Sequence, residues 1–119
     1  MNDAKTTIQD LKDAMAKFVT AREWDQFHSP KNLSMAVAAE AAELMELFLW
    51  QDSKESRKTI EKKRDEVEQE VADIIMVTLA FANQTGIDIA TVVKRKIKLT
   101  AKKYPISKVK GRAVKYTEL

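Results

Sequence analysis

Four acidic residues are placed as metal or acid–base chemistry would need them. Glu40 and Glu43 stand three apart in AVAAEAAELMELFLWQ (36–51), and Glu70 and Asp73 stand three apart in EVADI (70–74). A helix turns about 100° per residue, so positions i, i+3, i+4 and i+7 share a face. Glu40 and Glu43 therefore join Leu33, Ala36 and Leu47 on one stripe, flanked by Val37, Leu44 and Trp50. Glu70 and Asp73 likewise join Val67, Ile74, Val77 and Phe81. Carboxylates do not stay in apolar surroundings unless something pairs with them. The two pairs are separated by 26 residues, and antiparallel helices would bring all four acids together at mid-bundle. Mutual repulsion and desolvation oppose such a cluster. A hard divalent cation such as Mg²⁺ removes the problem, because it takes oxygen ligands and keeps waters for a substrate's phosphates. A single Glu-x-x-Glu in a chain with 18 acids is ordinarily a solvated helix face. Glu61, Glu66 and Glu68 are read that way, and Glu46 lies at the stripe's edge. Two pairs on two apolar stripes are a stronger signal. Iron is disfavoured, since di-iron bundles use Glu-x-x-His and the one histidine, His28, falls in a connection.

The elements that must position these acids are helices. Apolar residues Ile8, Leu11, Met15, Phe18 and Val19 recur at helical spacing between about Ala4 and Arg22. EWDQFHSPKN (23–32) then forms a bulky, partly polar connection, where Pro30 disfavours helix at Ser29 and Ser29 can cap the next helix. Trp24 and Phe27 can either plug the bundle end or meet a ligand, as such loops often do. A second helix is expected from about Lys31 to Trp50, a polar loop over Gln51–Thr59, and a third helix from about Ile60 to Thr85. Gly86 reads as a stop and Asp88 as the cap of a fourth helix ending at Lys103, before Pro105. The expected fold is all-α and four-helix-bundle-like, with a domain over 1–105 and a basic, irregular tail over 106–119.

Composition agrees. The chain has 119 residues, enough for one core, and only two glycines and two prolines, which disfavours folds rich in tight turns. Without cysteine there is no disulfide, thiolate site or cysteine nucleophile. No apolar run is long enough to span a bilayer and the N-terminus lacks a signal peptide's apolar segment, so a cytoplasmic location is expected. From Lys94 to Leu119 ten basic residues accompany one acid, Glu118, a balance of +9. The other 93 residues carry 11 basic and 17 acidic side chains, a balance of −6. Apolar character around much of the second and third helices exceeds what one chain of this size buries, which argues for a homodimer or homotetramer.

Glu40, Glu43, Glu70 and Asp73 match the ExxE, spacer, ExxD hallmark of the all-α nucleoside triphosphate pyrophosphohydrolases, the MazG-like group. REWDQFHSPKNL, EAAELMELFLW, KKYP and KYTEL resemble that family's dCTP pyrophosphatase branch from about Phe18 to Leu119. The resemblance implies hydrolysis of a nucleoside triphosphate, a deoxynucleotide with dCTP as the favoured guess, to monophosphate and pyrophosphate. It implies Mg²⁺ held by the four acids, which are also the catalytic residues. A carboxylate not fully committed to the metal could take the proton of the attacking water, and Glu43 is the favoured choice. The resemblance places Trp24, His28 and Trp50 at the nucleotide, and makes Lys96, Lys103 and Tyr104 phosphate or sugar contacts. Without the resemblance His28 reads as an exposed loop histidine and the lysines as solvated. Val77 stands where vertebrate members of the branch carry tyrosine, and Thr100 where asparagine is common. A different class of function also fits the basic C-terminal quarter: a helical dimerisation module binding nucleic acid. That reading has no recognition motif and leaves the acids unexplained. A purely structural bundle would be indifferent to Mg²⁺ and nucleotides.

Overall fold

The computed structural model describes all 119 residues, and it is helical with no strand. Six α-helices follow one another: α1 (Ile8–Ala21), α2 (Pro30–Glu46), α3 (Ser53–Lys62), α4 (Arg64–Thr85), α5 (Ile89–Lys103) and α6 (Ile106–Val109). Short 3₁₀ turns lie at Asp25–Phe27 and Tyr116–Glu118. The chain forms two compact units, residues 1–86 and 87–119.

In the first unit α4 is the hub, packing against α2, α1 and α3. Its apolar second half supplies the buried Leu79, Ala80 and Ala82, which join Val19 of α1 and Leu33 of α2 in a small core. Local chemistry fixes the helix ends. Thr7 and Asp10 form a reciprocal capping box, the Thr7 hydroxyl accepting from Asp10 N at 3.0 Å and the Asp10 carboxylate from Thr7 N at 2.9 Å. The first helix therefore begins at Ile8, not at Ala4. Ser29 caps α2 by accepting from Asn32 N, with Pro30 in the first turn. Gly86 ends α4 at φ +69°, the left-handed conformation that suits glycine.

Three expectations are corrected here. The segment read as a loop, Gln51–Thr59, is largely helical. Asp52 caps it by accepting from Glu55 N at 2.8 Å, and Thr59, the one polar residue buried in the chain, seats it on the unit. The third helix expected from the sequence is thus two, broken at Lys63, which ends α3 and precedes α4. The second helix also stops earlier, at Glu46. Leu47–Trp50 winds off as turns, and Trp50 sits at φ +62°.

The second unit holds α5, capped by Asp88 through Thr91 N, and the C-terminal residues. The segment read as irregular is partly ordered, with α6 and the final 3₁₀ turn. Tyr104 accepts a hydrogen bond from Tyr116 N at 3.2 Å, and their rings meet edge to face at 5.9 Å. No single helix in the chain is long and apolar enough to cross a membrane.

Candidate metal centre and adjoining cavity

α2 and α4 each bring one Glu-x-x-acid pair to a common point. One carboxylate oxygen each from Glu40, Glu43, Glu70 and Asp73 lies within 4.8 Å of those of the others. Glu40, Glu70 and Asp73 are half-buried and Glu43 is exposed. Their companions on α4 (Val67, Ile74, Val77 and Phe81) are half-buried too, so the stripe inferred from periodicity is a real face. Glu61, Glu66, Glu68 and Glu46 are exposed and outside the cluster.

The electrostatics are those of a site built for a cation. Partial burial raises the Glu40 carboxyl above its ordinary value. A hydrogen bond with Glu43 and the charges of Glu43, Asp73 and Glu70 push the same way. Burial likewise raises Glu70, followed by its hydrogen bond with Glu43 and the charges of Glu43, Asp73 and Glu46. No cation of the protein pairs with the cluster: the ion pair on α4 is Arg64–Glu68, at 2.8 Å on the exposed first turn. Glu40 and Glu70 each keep one buried oxygen, Oε2, without a hydrogen-bond partner. Buried acceptors are rarely left unpaired. Two orphaned oxygens in an all-oxygen set of four acids fit a hard divalent ion.

Beside the cluster is a cavity of about 380 Å³. Glu40 and Asp73 form part of its wall, and Trp24, Phe27, His28 and Asn32 form another. Apolar residues, among them Met76 and Val77, complete it. The volume lies within the range of small-molecule sites. His28 Nδ1 is buried there without a partner, so it is free to bond an occupant.

The structure therefore brings together the four acids, Trp24 and His28. Trp50 is elsewhere: it is 98% exposed, with no part in the cavity wall. Lys96, Lys103 and Tyr104 belong to the second unit. There Lys96 and Tyr104 line a separate shallow pocket, and the Lys103 ammonium lies 4.6 Å from the centre of the Tyr116 ring. Sequence reasoning missed Asn32, whose side-chain amide donates to Phe27 O at 2.9 Å and holds the loop beside the cavity. The signal was faint: a polar residue in the first turn of α2, just after the capping serine.

Three comparisons bear on this arrangement. A profile of the MazG-like family matches residues 35–119. dCTP pyrophosphatase 1 of Bos taurus is 32% identical over 118 residues, covering 98% of this chain and 70% of the bovine protein. The Rattus norvegicus protein of the same name is 33% identical over 115 residues, or 95% and 68% of the two chains. Among solved structures, a pyrophosphatase from Archaeoglobus fulgidus superposes with a TM-score of 0.81 at 33% identity, covering 88% of this chain and 98% of that one.

Proposed function

The chain belongs to the MazG-like family, and on that premise we propose that it is a Mg²⁺-dependent nucleoside triphosphate pyrophosphohydrolase. It converts a deoxynucleoside triphosphate, dCTP or a close relative, to the monophosphate and pyrophosphate, clearing unwanted nucleotides from the pool. The single observation that carries this reading is the convergence of four carboxylates, two of which, Glu40 and Asp73, form part of the wall of a cavity of small-molecule size. The relatives' names support the substrate class.

Glu40, Glu43, Glu70 and Asp73 would hold Mg²⁺. When bound, the ion neutralises the triphosphate, polarises the α-phosphoryl group and makes water a better nucleophile. The remaining work belongs to the chain. Glu43, the exposed member of the cluster, takes the proton of the attacking water on a carboxylate oxygen. Trp24 and Phe27 offer ring surface to the base, and the unpaired His28 Nδ1 bonds the base or sugar. Catalysis of this kind consists of positioning and charge compensation rather than covalent participation by the protein. Trp50, Lys96, Lys103 and Tyr104 stand as further substrate contacts on the strength of the motif match, and their alanine variants should raise KM.

The test is direct. Purified chain incubated with each dNTP and Mg²⁺ should release pyrophosphate, and a chelator should stop it. No release from any dNTP, or release indifferent to the chelator, overturns the reading.

A further inference from the structure

The loop that carries Trp24, Phe27 and His28 has little apolar burial to hold it: Phe27 is 60% exposed and Trp24 44%. Its pose is set by the Trp24 ring meeting Phe18 of α1 edge to face at 5.7 Å and by a few polar contacts. Glu23 turns the chain out of α1 at φ +54°. Trp24 N returns to Val19 O at 3.1 Å, and Asn32 secures Phe27 from α2. The remaining anchor is Asp25. One carboxylate oxygen accepts from Thr20 Oγ1 of α1 at 3.3 Å, and the other from Gln84 Nε2 of α4 at 3.1 Å, across 59 residues of sequence.

We propose that Asp25, clamped by Gln84, is a positioning residue for the substrate: it ties the cavity loop to the helix that bears Glu70 and Asp73. Asp25 is not among the residues of the cavity wall, so it acts through Trp24 and His28, its neighbours in the loop. A hydrogen bond to a charged acceptor is about twice as strong as a neutral one, which suits the contact that joins this short exposed loop to α4. The consequence is specific. The carboxylate cluster is carried by α2 and α4 and stays in place without the clamp. The walls that meet base and sugar do not. Losing the clamp removes binding shared by ground and transition states, which raises KM and leaves kcat in place. This inference rests on reading the cavity as the nucleotide site.

The experiment compares Asp25→Ala, Gln84→Ala, the double variant and Asp25→Asn. Gln84→Ala should raise KM about tenfold, the scale of one charged hydrogen bond, and Asp25→Ala, which also releases Thr20, at least as much, with kcat within about twofold of the unaltered chain. The double variant should be no worse than Asp25→Ala alone, because Asp25→Ala already breaks the contact with Gln84 along with the one from Thr20. Asp25→Asn keeps an oxygen acceptor and should recover most of the affinity. A second readout needs no activity. In a Trp50→Phe background Trp24 is the only tryptophan, and acrylamide quenching of its fluorescence should increase when Gln84 is replaced. Unchanged KM, multiplicative effects in the double variant, or unchanged quenching overturns the clamp. If the unaltered chain released no pyrophosphate, the nucleotide reading would fail, and the quenching result would still decide whether the clamp holds the loop.

Discussion

Glu40 and Glu70 are the residues on which charge and stability meet. Both carboxyls are raised above an ordinary value of 4.5, first by burial and then by Glu43 and their other acidic neighbours. Between 4.5 and the raised values the folded chain binds more protons than the unfolded one. The metal-free protein therefore loses stability from this source as pH rises through that window, and retains it fully below. Thermal melts in chelator from pH 4.5 to 8 should show this slope, and Glu70→Gln should flatten it. Added Mg²⁺ should raise the melting temperature most at the upper end, where the acids are ionised and protons no longer compete. On the proposed reading the same Glu70→Gln change removes a metal ligand rather than a ligand's neighbour, and should lower turnover by more than about a hundredfold. It should not destabilise the metal-free fold, because it relieves repulsion. All four acids were legible in the sequence, since the i, i+3 spacing and the apolar neighbours on each helix are local. The orphaned oxygens were not, because they depend on how α2 meets α4.

Helix ends show where local reading succeeds. Ser29, Gly86 and Asp88 all perform the roles their types suggest. Glycine at φ +69° with open space around its Cβ position isolates a backbone effect, so Gly86→Ala should cost about 1 kcal/mol in denaturant unfolding. α3 escaped notice because it is mostly charged. Its stability comes from the Asp52 cap and from Thr59, whose hydroxyl donates to Gln51 Oε1 at 2.7 Å. Asp52→Ala should accordingly cost about 1 kcal/mol, measured the same way. α2 was read too long because Leu47, Phe48 and Leu49 continue the apolar pattern after the backbone has left the helix. Gln51 explains the departure: its amide donates back to Leu47 O while its oxygen accepts from Thr59. That partner lies eight residues on, beyond what a periodicity argument weighs.

At the scale of the whole molecule the all-helical class followed from sparse glycine and proline, and the surplus of apolar helix surface was legible there too. α2 and α4 leave Met35, Met45, Val71 and Ile75 exposed, more apolar surface than two helices of a 13.5 kDa chain ordinarily show to water. The assembly expected from this surface is a dimer or tetramer. Analytical ultracentrifugation should give a mass of two or four chains, and Met45→Glu should shift it toward one. The contact between Asp25 and Gln84 was invisible, since nothing local links a loop aspartate to a glutamine 59 residues away. The break at Lys63 has a different consequence. The sequence there is Lys62–Lys63–Arg64, and Lys63 has no side-chain cap to offer α4. Trypsin cutting at this point would leave Glu40 and Glu43 on one fragment and Glu70 and Asp73 on the other. Each fragment then carries half of the acidic cluster, and their rejoining becomes a bimolecular event whose strength can be titrated with divalent ions. The junction between two helices thus marks where this chain can be divided into a complementing pair.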